Sequence, residues 1–182
     1  MMLHLRKSAW APVWAVVRIL VGFAWLSAAI EKLQAADVYI GAHAGVAVSG
    51  YLHGALAQTT GAHAQVTAEW AWLIRSLFLP TAGFWSWVVT FGELVVGIGL
   101  ILGALTGTAL IAAMVMNMAY MLSGSATINP VLFAIEGIML AVGPAVALWG
   151  VDHWVWHDWK GRHLMFQPAP DAGDHHPPAQ AA

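Results

Sequence analysis

The sequence predicts an all-α membrane protein, a bundle of four transmembrane helices with a long extracytoplasmic first connection that contains a short or interfacial helix. Three observations predict it. Sixty per cent of the 182 residues are apolar or aromatic and only 9% are charged, against about 25% charged in a soluble domain. The mean hydropathy is +0.71. Four segments have the length and apolar character of bilayer spans, which take about 20 residues. The composition also excludes other classes. Seven Lys and Arg against nine Asp and Glu leave no basic surface for phosphates, so no nucleic-acid partner is expected. The absence of Cys removes disulfides, thiolate metal sites, iron–sulfur clusters, covalent c-type haem and cysteine nucleophiles.

The first span is predicted from about Ser8 to Ile30. Its apolar stretch is too long for a cleaved signal peptide and is interrupted by Arg18, so a retained helix is expected. The connection from about Leu33 to Ala82 carries the 13-residue stretch Ala68–Pro80, too short to span and suited to the interface or to re-entry partway. The second span runs from about Gly83 to Leu105, the third from Thr106 to Leu122 and the fourth from Pro130 to Trp149. Asn129 is a candidate cap for the fourth, and Pro130 suits its first turn. Gly99, Gly103 and Gly107 recur every four residues. Small residues so spaced let helices approach closely, either within a tight hairpin or between two copies. Trp149, Trp154, Trp156 and Trp159, four of eleven Trp, read as an interfacial anchor. Residues 1–160 form one membrane domain, and 161–182 a largely disordered cytoplasmic tail. Arg6 and Lys7 before the first span, with Lys160 and Arg162 after the last, place both termini in the cytoplasm.

Histidines offer two weak metal readings. His43, His53 and His63 lie in the long connection, and His153 with His157 has the i, i+4 spacing of a helix face. Scattered loop and interfacial histidines explain both sets, and no metal site is predicted. The spans hold no His, so a bis-His haem has no ligands. No flavin site is visible.

The ionisable and polar residues at membrane depth are the most informative feature. Arg18 lies in the first span, with Glu31 and Lys32 at its outer end; Glu93 lies in the second, Asn117 and Tyr120 in the third, Glu136 in the fourth. A charge at the bilayer centre costs at least about 2.5–3.5 kcal/mol. These side chains are therefore expected to face one another in a shared interior pocket, with Arg18, Glu93 and Glu136 as candidate catalytic residues and Lys32, Asn117 and Tyr120 as candidate cofactor-binding residues. Three carboxylates against two cations leave one carboxyl to hold or share a proton, because desolvation disfavours its charged form. Such a carboxyl beside Tyr and Asn suits proton-coupled quinone chemistry. The rival reading is a set of buried pairs that fix helix register.

The stretch FGELVVGIGLILGALTGTALIAAMVMNMAYMLSGSATINPVLFAIEGIML (Phe91–Leu140), with RILVGFAWLSAAIEKL (Arg18–Leu33) and VSGYLHGAL (Val48–Leu56), resembles the DoxX/DoxD family of small four-helix membrane proteins over about residues 10–155. The resemblance implies a four-helix bundle in a bacterial or archaeal cytoplasmic (inner) membrane and a link to membrane redox chemistry. One branch of that family is the membrane subunit of thiosulfate:quinone oxidoreductase. On motif position, Arg18, Lys32, Glu93, Asn117 and Glu136 match the family's recurrent polar positions.

The expected function is that of a membrane subunit of a quinone-linked oxidoreductase, with quinone as cofactor and the lipid bilayer and other membrane or extracytoplasmic subunits as partners. The alternative is a non-catalytic accessory subunit of a larger respiratory or photosynthetic complex. A transporter or channel ranks last, since neither a selectivity filter nor an inverted repeat is visible.

Overall fold

Pro12 fits the first turn of a helix, where its missing N–H has no partner to lose, and α1 runs from there as Ala11–Gln34. The computed structural model describes residues 10–61 and 64–157, excluding the side chains of Trp156 and His157. The expectations for Arg6, Lys7, His63, Trp159, Lys160, Arg162 and the tail 161–182 fall outside the described residues. Every regular element among the described residues is helical.

The buried positions Ala11, Ala15, Arg18, Gly22, Trp25 and Ala29 of α1 step alternately by four and three, and Lys32 continues the series. That rhythm keeps one stripe of the helix turned inward. The long connection folds into three short helices, α2 (Ala36–Tyr39), α3 (Val46–Ala57) and α4 (Ala68–Leu73), the last continued by a π-turn over Ile74–Phe78. Thr67 caps α4 by accepting from the Trp70 amide. Leu52, Ala55, Val66, Ala71 and Ile74 give this region a small core of its own.

Three longer helices follow: α5 (Ala82–Leu102), α6 (Thr106–Leu122) and α7 (Asn129–Val142). A four-residue 3-10 turn, Gly143–Val146, leads on to α8 (Val151–His157). Two local expectations are corrected. The continuous helix predicted for Pro130–Trp149 stops at Val142, because Gly143 takes a φ of 76° and Pro144 has no N–H to continue the ladder. Asn129 does not cap α7: its amide donates back to the Ser125 carbonyl at 2.9 Å and hydroxyl at 3.0 Å.

α1 packs along α5, α5 against α6, α6 against α7, and α7 closes on α1. Trp25, Val96, Leu100, Leu110, Ala113 and Met139 share the core between them. α1 and α5 approach backbone to backbone at Gly22 and Gly97. A Cβ on Gly97 would stand 2.7 Å from the Leu26 amide nitrogen, and one on Gly22 would stand 2.9 Å from that of Ile101. Among helices in lipid, such contact replaces a hydrophobic drive that hydrocarbon cannot supply.

The outward faces are apolar too: Val16, Phe23, Val95 and Val115 are 56–67% exposed, which suits contact with a bilayer. Three segments, Ala11–Gln34, Ala82–Leu102 and Asn129–Val155, are long and apolar enough to cross a membrane. The third predicted span, Thr106–Leu122, is an apolar helix of 17 residues, about 25 Å long and below the usual crossing length.

Candidate functional site

The four packed helices each turn a polar side chain inward. The α1 stripe carries Arg18 and Lys32. The buried stripe of α5 carries Glu93 in step with Ser86 and Thr90. Asn117 and Tyr120 lie one turn apart on α6, and Glu136 lies on α7. The structure sorts these residues into three groups.

The first group surrounds Glu93, which is 1% exposed. Lys32 Nζ donates to its Oε2 at 2.6 Å and Tyr120 Oη donates to its Oε1 at 2.5 Å. Lys32 keeps 18% of its side-chain surface exposed, so the ion pair reaches from the interior to the surface under α2 and α3. Its ammonium lies 5.8 Å from the centre of the Tyr39 ring, a cation–π distance. Tyr51 stands edge-on to Tyr120 at 6.2 Å and donates to the Tyr120 carbonyl. Burial raises the Tyr51 pKa, while the hydroxyls of Ser123 and Ser125 act in the opposite direction. All three tyrosines of the chain therefore gather around this one ion pair.

The second group surrounds Glu136, which is fully buried. Trp25 Nε1 donates to its Oε1 at 2.7 Å and Asn117 Nδ2 to its Oε2 at 2.8 Å. Both donors are neutral. The other end of the Asn117 amide, Oδ1, is buried without a hydrogen-bond partner among the described residues.

The third group is built on Arg18, 1% exposed, at the α5–α6 hairpin end. Its Nη2 donates to the Trp149 carbonyl at 2.9 Å. Its guanidinium lies against Gly103 and Gly150, where any Cβ would collide with it. Asp152 supplies the opposite charge nearby and accepts from the amides of Leu105 and Thr106 at 2.6 and 2.8 Å. It thereby caps α6 from a distant part of the chain. Those bonds hold Leu105 at a φ of 49°, a conformation costly for a branched side chain.

Of the residues singled out from the sequence, Lys32, Glu93 and Tyr120 come together, Asn117 joins Glu136, and Arg18 stands apart from both carboxylates. Glu31 is exposed. Of the recurrent glycines, Gly103 ends α5 in the left-handed region with a φ of 67° and Gly99 faces Ala109 across the hairpin. Sequence reasoning missed Trp25, Tyr39, Tyr51 and Asp152. The four-three rhythm of α1 puts Trp25 on the face of Arg18 and Lys32 and was a usable signal; nothing local marks Asp152 as the cap of a helix 46 residues away. His43 pairs with Asp37 at 2.8 Å on the surface, and His53 bonds back to the Ser49 carbonyl. Among the described residues, no group of three His, Asp or Glu is placed to hold a metal.

Chemically, Glu93 is a carboxylate whose charge is balanced by Lys32 and whose second oxygen meets a phenol. That arrangement satisfies both oxygens of the buried carboxylate, one with a charged and one with a neutral donor. No family model, no curated protein and no solved structure matches this chain.

Proposed function

We propose that this chain is a DoxX-like membrane subunit of a quinone-linked oxidoreductase, with α6 crossing the bilayer beside the three longer helices and the α2–α4 region on the extracytoplasmic side. The reading rests on one observation: Lys32 and Tyr120 converge on the two oxygens of a buried Glu93 while Lys32 remains in reach of the surface. A quinone supplies an electron acceptor whose carbonyl oxygens take up protons as they are reduced. Lys32 and Tyr120 are the donors suited to those oxygens, and Glu93 is the group that returns a proton to Tyr120. Tyr39 and Tyr51 offer ring faces beside them. The described residues offer no redox centre of their own, so electrons come from a partner or a co-bound donor. Arg18 serves this function by holding the hairpin end of the bundle together.

The test is binding of a short-chain benzoquinone to the purified chain in lipid nanodiscs, followed by quenching of its tryptophan fluorescence and repeated for Glu93→Gln and Tyr120→Phe. Saturable binding that weakens by about two- to tenfold in either variant supports the reading, because one lost hydrogen bond between neutral groups amounts to about 0.5–1.5 kcal/mol. Equal affinity in both variants removes it.

The accessory-subunit reading has one observation in its favour. Both oxygens of Glu93 and both of Glu136 already have partners within the chain, as structural pairs should. Mild detergent extraction discriminates: co-migration with a stoichiometric partner, together with no quinone binding, favours it.

A further inference from the structure

We infer that Glu136 is a proton-loading carboxyl inside the bundle, filled from the Lys32–Glu93 end, and that the Asn117 amide turns over when the proton arrives. The inference rests on the hydrogen bonds of Glu136 and its surroundings and needs no quinone, so it goes beyond the reading above.

Trp25 Nε1 can only donate. Its bond to Oε1 therefore requires that oxygen to remain an acceptor in every protonation state, which leaves Oε2 as the place for a proton. Oε2 faces Asn117 Nδ2, and an N–H facing an O–H would leave two donors opposed. The amide has a remedy. Its carbonyl end, Oδ1, is buried and unpartnered, so nothing on that side holds the group in place. Half a turn about its terminal torsion, which is broad for an amide, brings Oδ1 to the O–H. Asn117 thus has one orientation for each state of Glu136.

The surroundings decide the direction of loading. Toward the hairpin end, Leu100, Leu110 and Met139 are fully buried and apolar. Toward the other end, one turn of α6 leads from Asn117 to Tyr120, whose hydroxyl bonds Glu93, whose other oxygen meets the partly exposed Lys32. The titratable groups on the helices packed around Glu136 are Arg18, Lys32 and the exposed Glu31 on α1, Glu93 on α5 and Tyr120 on α6. Lys32, Glu93 and Tyr120 are bound to one another and Arg18 is bound to Trp149, so the direct partners of Glu136 are both neutral. On loading, a proton from water at the Lys32 end forms an O–H bond at Oε2 and cancels the carboxylate charge. No electron moves.

Infrared difference spectroscopy of the full chain in lipid nanodiscs, without quinone and through a pH titration kept near neutrality, where the exposed Glu69 carboxyl stays ionised, tests this. The expected result is a carboxylic C=O band that rises together with a change in a side-chain amide band. Heavy-isotope labelling of glutamate carboxyls shifts the first in the wild-type protein, and labelling of asparagine amides shifts the second. Glu136→Gln removes both, and Asn117→Leu removes only the amide change. Glu93→Gln keeps both but slows their appearance after a pH jump by roughly a hundredfold, the scale of a lost proton-transfer group. A carboxylic band that survives Glu136→Gln, or the absence of any such band in the wild type, overturns the assignment. A labelled asparagine band that stays still while the carboxylic band rises overturns the amide turn. An unslowed Glu93→Gln overturns the route. The isotope experiments use the wild-type chain, so the buried carboxyl band and the amide turn can each be overturned without a variant; the two glutamate variants are compared only after their helical amide bands match those of the wild type.

Discussion

The two ends of the bundle treat buried charge in opposite ways. At the hairpin end, Arg18 is closed in by Gly103 and Gly150, its Nη2 is spent on the Trp149 carbonyl, and Asp152 is spent on the Leu105 and Thr106 amides. Each bond there ties one backbone segment to another, and nothing can leave without breaking the join. At the other end, Lys32, Glu93 and Tyr120 bond side chain to side chain, and Lys32 is partly exposed. Side-chain pairs can trade a proton and keep the fold. Buried charge alone therefore does not mark a functional site. What matters is whether its partners are backbone groups that fix the chain or side chains that can change state.

Substitutions that strike the hairpin end should show the largest effects on stability. Gly103→Val places a branched side chain at a φ of 67° and inside the space of the Arg18 guanidinium. It should cost about 4 kcal/mol or more, read as loss of folded protein in detergent unfolding curves. Wild-type stability in this variant would break the comparison outright, since Arg18 would not be confined. Asp152→Ala comes next. It strips the cap from α6 and the nearby opposite charge from Arg18, and about 2 kcal/mol is expected by the same measurement.

At the other end the order reverses between stability and function. Tyr120→Phe loses one hydrogen bond to a carboxylate that Lys32 still balances. Stability should fall by only about 1–2 kcal/mol, while the quinone binding proposed above should weaken by about two- to tenfold. If Tyr120→Phe unfolds the chain as readily as Asp152→Ala, the Glu93 group is a join like the hairpin, and the contrast between the ends disappears.

Much of this arrangement could be read from residue order, and the limits have physical causes. Apolar length alone located α1, α5, α6 and the start of α7, because a helix in hydrocarbon must satisfy its own backbone. The cost of burying charge correctly pointed to Arg18, Glu93, Asn117 and Glu136 as inward-facing. It could not say which would meet, since that depends on helix register. Lys32 meets Glu93 while keeping 18% of its side-chain surface exposed. The single pocket expected for Arg18, Glu93 and Glu136 resolves into separate groups because Arg18 sits fourteen residues before Lys32 on α1, about 21 Å along the axis. Asp152 was invisible because a cap supplied across the chain leaves no local pattern. The Gly22–Gly97 contact was hidden for a similar reason, as neither glycine has a small-residue partner four positions away.

Glu69 offers the smallest effect and a control for the rest. It lies in the first turn of α4, exposed, and its carboxyl is held below the ordinary value of 4.5 first by its own backbone amide and then by the Thr67 hydroxyl. A carboxyl whose folded pKa is depressed contributes stability above its unfolded pKa and loses it as pH falls through the folded one. The wild-type advantage over Glu69→Gln should therefore be constant at neutral pH and vanish only in acid below 4.5, read from paired unfolding temperatures across a pH series. The group is solvated, so the difference should be small. Any pH dependence near neutrality that persists in Glu69→Gln must then come from elsewhere. Should it disappear in Glu136→Gln, the interior carboxyl is titrating in the folded bundle; should it survive there unchanged, Glu136 keeps one protonation state and is as fixed as the charges of the hairpin end.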